Sequence, residues 1–492
     1  MQRHPNILWI CADQQRYDSI RALGNRYINT PVLDGLIEGG ASLTRAYTQC
    51  PVCTPSRACF LTGRYPRTAR VVRNGIEYFP PDEKLVTRLF ADAGYDCGLI
   101  GKLHLSAAEG MVEVRPDDGY RFFEWSEHPH DDWETGHAYQ DWLKAKGVEW
   151  SEHYCLGDGK NQSSKTNNGW KEAVPEGLGG IESEYSQTTW AFERARAFIE
   201  QPRAEGQPWL LSVNIFDPHP PYDPPKTYRD RLDASRIDAP LFREGELDDK
   251  PPIQKEDYLY GSQGGTGPCY AALSEKSRRQ MIADYLAQVL QIDDRLGELI
   301  GLLRASGRLE DTIVVYHSDH GEMNGDHGLY WKGAYVYEQL LHVPVIFSWP
   351  GYIPAGVKVD ALTELVDLAP TLLELAGLEV PCYMQGRSLA PILLGKASPH
   401  EHKRQIYSEY YCAMRGVHNR YISICFDGRY KIAVHHGEEP GELYDLEADP
   451  NEFENLWNRA ELVPLKLEML KKCFDSTVLA NLDPKPRVIR YF

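Results

Sequence analysis

Four strand ends and one helix start gather the side chains of this chain that can do chemistry. Cys53-Thr54-Pro55-Ser56-Arg57 opens a helix that continues through Ala58, Phe60 and Leu61 and is closed by Gly63. The partial positive charge of a helix N-terminus suits an oxyanion beside Cys53. Residues 6–12, 95–101, 209–216 and 312–318 are apolar runs that read as buried strands. Each ends in polar groups: Asp13-Gln14, Lys102-Leu103-His104, Asp217-Pro218-His219 and Asp319-His320-Gly321-Glu322. Open α/β sheets bind ligands at that carboxyl edge. A cysteine taken alone is most often a small buried hydrophobe, and a strand-end lysine is most often a solvated charge. Register argues otherwise here, because Pro55, Arg57 and Thr62-Gly63-Arg64 accompany Cys53.

The stretch from Cys53 to Arg64 resembles the Cys-x-Pro-Ser-Arg…Thr-Gly-Arg signature of type I sulfatases in the alkaline phosphatase superfamily. Gly101-Lys102-Leu103-His104, the His-x-Pro turn at His219, residues 325–333 with Lys332, residues 343–351, residues 367–373 and Glu442-Leu443-Tyr444-Asp445-Leu446 with Asp449-Pro450 resemble the same family. The likeness thus spans nearly the whole chain outside two long loops. It implies that a formylglycine-generating maturation enzyme oxidises Cys53 to formylglycine. One hydroxyl of the hydrated aldehyde would attack sulfur and the other would expel sulfate. It also implies one divalent cation held by Asp13, Gln14, Asp319, His320 and residue 53 as formylglycine. Calcium is the metal so implied. Gln14 stands where many sulfatases have a second Asp, and His320 where many have Asn. These departures admit manganese or zinc, since imidazole is a more usual ligand of transition metals, with magnesium a further alternative.

By the same resemblance, Arg57 and Lys102 brace the nucleophile and the transferring group, and His104 takes a proton from the diol. Lys332 and His219 face the leaving oxygen, with His219 as general acid. Asn74 either bonds the substrate or simply forms an Asn-Gly turn; Asp326 and His327 are either supports of the site or turn residues. The substrate so implied is a small sulfate monoester, aryl or carbohydrate. An alternative is a phosphonate monoester or phosphodiester hydrolase. Those enzymes share the Asp-Gln and Asp-His pairs and the short interval from residue 319 to 332, but carry hydroxyl-bearing side chains where this chain has Lys102 and His104. A third reading is a non-catalytic anion-binding protein in which Cys53 stays a thiol.

The elements that must position these residues predict an α/β fold: a large mixed, mostly parallel sheet sandwiched by helices, as in alkaline phosphatase, with a smaller C-terminal α+β subdomain on an antiparallel sheet. The expected division is 1–380 and 381–492, with long loops at about 105–184 and 239–270. The first loop is rich in Trp, Tyr, His and Asp and is a candidate wall of the leaving-group pocket. Its cluster from His128 to Asp132 lacks the spacing of a metal site. Tyr285, Val289, Ile292, Leu296, Leu299 and Leu303 form one apolar stripe of a helix, which reads as core.

The 492 residues, 42% hydrophobic and 25% charged, describe a soluble globular protein without a bilayer-spanning run. A net charge of −18 argues against nucleic acid and anionic membranes as partners. Arg57, Lys102 and Lys332 would have to supply a locally positive pocket. Eleven cysteines without zinc-type pairs fit neither a disulfide framework nor a zinc site. Met1 runs almost directly into the first strand, so a cytoplasmic location is expected, and the Asn161-Gln162-Ser163 sequon carries no weight. The apolar tail from Val488 to Phe492 suggests a strand between subunits of a homo-oligomer.

Overall fold

Strand β1 (Asn6–Ala12) is buried on both faces, and its alternation serves two cores. Ile7, Trp9 and Cys11 pack with Ala58, Phe60, Leu61 and Leu372, while Leu8, Ile10 and Ala12 pack with Trp190, Phe198, Ile292 and Leu296. The sheet is therefore a middle layer between helices, as a continuous apolar strand requires. The structure is a computed structural model and describes residues 4–108, 112–127, 136–149, 173, 180–414 and 419–482.

In chain order the N-terminal part contributes, after β1, strands β2 (Ala41–Leu43), β3 (Ala46–Tyr47), β4 (Asp96–Gly101), β5 (Phe122–Trp125), β6 (Trp209–Ile215), β7 (Thr312–Ser318), β8 (Val345–Ser348), β9 (Val357–Val359) and β10 (Thr363–Glu364). Eight of them form one sheet in the order β5-β4-β6-β1-β7-β8-β2-β9; β3 and β10 pair separately. All neighbours from β5 to β7 are parallel, and β8 runs antiparallel to both β7 and β2. The carboxyl ends of β4, β6, β1 and β7 thus lie side by side, which brings the four polar strand ends to one edge.

The long helix Glu275–Ala305 buries the expected stripe from Tyr285 to Leu303 and is capped by Ser274, whose side chain accepts from the Ser277 amide. Residues 239–270 are not a loop throughout: they hold the helix Pro252–Tyr260. Its apolar periodicity is weak, and polar ties orient the segment: Gln254 Nε2 donates to Glu442 Oε2 at 3.2 Å and Lys250 Nζ to the Tyr444 hydroxyl at 2.8 Å. The 105–184 stretch contains β5 and the helix Ala138–Ala145. The His128 to Asp132 cluster, the Asn161 sequon and the tail from Val488 lie outside the described residues.

The C-terminal sheet is antiparallel, β11 (Ile406–Tyr411), β12 (Tyr421–Phe426), β13 (Tyr430–His435) and β14 (Glu442–Asp445) in sequential order. One face carries the helix Val463–Ala480 through Met469 and Cys473. The other packs Tyr410, Ile422 and Ile424 against Met323, Leu329 and Tyr335, on either side of Lys332. Among the described residues no helix is long and apolar enough to cross a membrane.

Candidate active site

Cys53 is the first residue of the helix Cys53–Thr62, which ends at Gly63 with φ 67°. That left-handed cap is a glycine's conformation. The helix start is pinned to the sheet: Ser56 Oγ donates to the Asp319 carbonyl at 2.6 Å, and Thr54 N donates to Asn74 Oδ1 at 2.9 Å. Asp13, Asp319 and His320 are fully buried, and one ligand atom from each lies with Cys53 Sγ inside a 4.8 Å cluster. Cys53 Sγ is 3.1 Å from His320 Nε2, 3.0 Å from Lys332 Nζ and 3.9 Å from Lys102 Nζ. Two carboxylates and an imidazole converging in a buried site form a donor set that fits a divalent cation.

Charged hydrogen bonds compensate the buried carboxylates. Arg57 Nε donates to Asp319 Oδ2 at 2.9 Å, its Nη2 lies 3.5 Å from Asp13, and its Nη1 donates to the Lys102 carbonyl at 2.9 Å. Lys102 Nζ donates to Asp13 Oδ2 at 2.6 Å. Burial opposes the charge on Asp13, yet Lys102, His219, Arg57 and Lys332 hold its carboxyl well below the usual range. Burial and Asp13 likewise oppose ionisation of the Cys53 thiol, but Lys102, Lys332 and His320 keep it below its ordinary value. His104 is pushed well down by burial and by Lys102 and Arg57, and His219 by burial and Lys332.

Backbone geometry at the rim is unusual in ways the sheet enforces. A Cβ on Gly101 would lie 2.0 Å from the Asn214 carbonyl oxygen, so only glycine lets β4 turn into Lys102 this close to β6. Gln14, His104 and Trp331 have φ of 66°, 56° and 62°, each costing about 1–2 kcal/mol relative to ordinary backbone. Such strain clusters where side chains must be aimed.

The strand ends bring Asp13, Gln14, Lys102, Asp319 and His320 together with Cys53, Arg57 and Lys332. Gln14 Oε1 accepts from Lys332 Nζ at 2.7 Å. His219 is half-buried, with Nδ1 2.6 Å from the Pro220 carbonyl. The side-chain oxygen of Asn74 is occupied by the Thr54 amide. Asp326 accepts from Arg16 Nη1 and the Leu241 amide, both at 2.8 Å, and His327 stacks on Tyr337 at 3.9 Å. Sequence reasoning missed two carboxylates. Glu322 accepts from Gln14 Nε2, which settles which end of that amide faces the site. Glu127 lies 3.5 Å from Lys102 Nζ and 3.8 Å from His104 Nε2. Glu322 ends the motif from Asp319 and was visible there; nothing local marks Glu127.

A mixed, mostly parallel sheet thus presents Cys53 at a helix start beside two buried carboxylates and a ring of buried cations, and the comparisons place that arrangement in the alkaline phosphatase superfamily. The sulfatase family profile matches residues 5–378, and the chain belongs to that family. A second profile, the C-terminal region of N-sulphoglucosamine sulphohydrolase, matches residues 325–478. The chain is 29% identical over 473 residues to an arylsulfatase of Clostridium perfringens, covering 93% of this chain and 91% of that protein. It is 30% identical over 494 residues to the multifunctional alkaline phosphatase superfamily protein PehA of Trinickia caryophylli, covering 92% and 91%. Among solved structures, the phosphonate monoester hydrolase SpPMH from Silicibacter pomeroyi superposes with a TM-score of 0.79 at 25% identity, over 97% of this chain and 96% of that one.

Proposed function

We propose that this protein hydrolyses a sulfate monoester, aryl or carbohydrate, to alcohol and inorganic sulfate through a formylglycine made from Cys53 by a maturation enzyme. The observation that carries this reading is the position of Cys53 Sγ, buried at a helix start and 3.0 Å from Lys332 Nζ and 3.1 Å from His320 Nε2. Family membership and the arylsulfatase relative support it. Asp13, Asp319 and His320, with Gln14 beside them, would hold one divalent cation, calcium in this reading, which supplies Lewis-acid polarisation of an oxygen. The aldehyde hydrate at residue 53 supplies a nucleophile with a second hydroxyl for release of the sulfate.

The chain's own residues do the rest. Arg57 neutralises Asp319 and braces the Lys102 carbonyl, so Lys102 and Lys332 point two ammonium groups at the anion. His104, kept neutral by burial and the adjacent cations, is ready to accept a proton. The Pro220 carbonyl can only accept, so His219 carries a proton on Nδ1, and a second proton, on Nε2, is the one it would give to the departing oxygen. An arriving anion raises the proton affinity of that ring, and Lys332 is a second donor. Phosphonate monoester hydrolysis is the second reading, favoured by the likeness to the Silicibacter enzyme. Lys102 and His104 weigh against it. The test is a side-by-side assay of an aryl sulfate, a phosphonate monoester and a phosphodiester, with the mass of the Cys53 peptide. The highest kcat/KM on sulfate and a thiol-to-aldehyde mass loss support the first reading. A phosphonate preference selects the second, and an unmodified Cys53 without turnover on any ester overturns both.

A further inference from the structure

Glu127 faces the anion pocket and has no part in the chemistry described above. It follows β5, and its backbone is clamped. His137 Nε2 lies 2.9 Å from the Glu127 carbonyl and 3.2 Å from the Glu127 amide, and Gln187 Nε2 donates to the same carbonyl at 2.8 Å. The side chain, 20% exposed, is thereby held with Oε1 3.5 Å from Lys102 Nζ and 3.8 Å from His104 Nε2. Among the described residues the other titratable group facing it is Glu113, a buried carboxyl pushed up to about 8 by burial and by Glu127 itself. Lys102 also touches Asp13 and Cys53. Glu127 is therefore one ammonium group away from the nucleophile.

Charge counting gives this placement a meaning. Arg57, Lys102 and Lys332 are opposed by Asp13 and Asp319 at the nucleophile and by Glu127 at the rim. The rim carboxylate lowers the net positive charge seen by an incoming ester by one unit. We infer that Glu127 is a specificity residue that tunes the pocket to singly charged esters and disfavours doubly charged phosphate monoesters. An additional unit of negative charge a few ångströms from a carboxylate, with screening between that of water and of a protein interior, corresponds to about tenfold in binding. Sulfate monoesters and singly charged phosphorus esters escape that added penalty.

The inference rests on the reading of Cys53 as the reacting centre, and the test separates the two. Phenyl sulfate and phenyl phosphate are titrated against metal-loaded Cys53→Ala protein, with and without Glu127→Gln, at about pH 7 and about pH 5. The second ionisation of a phosphate monoester lies near pH 6. At the higher pH, Glu127→Gln is expected to improve phosphate binding relative to sulfate by about tenfold. At the lower pH, where both ligands carry one charge, the ratio stays close to that of the parent. Glu127→Asp, which keeps the charge, retains the parent ratio at both. A sulfate-to-phosphate ratio unmoved by Glu127→Gln at the higher pH, or moved equally at both, overturns the inference. So does equal weakening of both ligands, which would make Glu127 merely a support for Lys102. Because binding needs no turnover, absence of sulfate hydrolysis by the parent would sink the proposed reaction and leave this result standing or falling by itself.

Discussion

The two sides of the pocket are built differently. On the Cys53 side, Asp13, Asp319, His320 and Arg57 are wholly buried and sit on strand ends or a helix start, with Arg57 bridging the two carboxylates. On the opposite side, His219 and Glu127 are partly exposed and sit on loops that follow strands. Rigid elements hold the reacting atoms of every substrate in one geometry, whereas loops adapt to what the substrate brings. The first side should therefore fix the reaction, and the second the choice of ester.

The sharpest way to break that contrast is Cys53→Ser. We expect turnover to fall by at least about 10⁴-fold, with one equivalent of phenol released from an activated aryl sulfate and a persistent sulfate adduct on the peptide. Repeated turnover by verified, unconverted serine protein would show that a water attacks sulfur instead. Next in size, Asp319→Ala removes a proposed anionic metal ligand and strands the buried Arg57 guanidinium. Loss of bound metal by elemental analysis should accompany a stability loss of about 3–5 kcal/mol in denaturant titration. Full metal occupancy would strike Asp319 from the ligand set.

On the opposite side, His219→Ala and Lys332→Ala should cost about 10²–10⁴-fold on esters of basic alcohols and much less on nitrophenyl esters, because proton donation matters most for a poor leaving group. A flat response across a leaving-group series would remove both from that role. Glu322→Gln probes the join between the two sides. Freed from its carboxylate partner, the Gln14 amide loses its fixed orientation, and metal affinity should drop by about 10–100-fold in a chelator competition. Unchanged affinity would make Gln14 a bystander.

The smallest effect is one of stability. Burial raises Glu113, beneath the His104 turn, to about 8. Between the ordinary carboxylate value and 8 the unfolded chain has released this proton while the folded protein keeps it, so its contribution to stability falls as pH rises through that window. Glu113→Gln should remove the dependence and stabilise the fold by about 1–3 kcal/mol near pH 7, with little change near pH 4. Parallel stability–pH curves for the two proteins would contradict the assignment.

What the amino-acid sequence determined by itself was the part written in local pattern. Buried apolar runs specify β1, β4, β6 and β7, and their order in the sheet brings the polar residue after each run to the same edge. The Cys53 helix, with Pro55 and Arg57 inside it and Gly63 at its end, is likewise local. Tertiary structure alone decided the rest. The helix Pro252–Tyr260 has little apolar face and is oriented by Glu442 and Tyr444 from the C-terminal sheet. Glu322 and Gln14 meet across 308 positions, and Glu127 reaches Lys102 only because β5 pairs with β4 at the sheet edge. A lone glutamate carries no periodicity and no spacing, so its charge gains meaning only when the fold has chosen its neighbours.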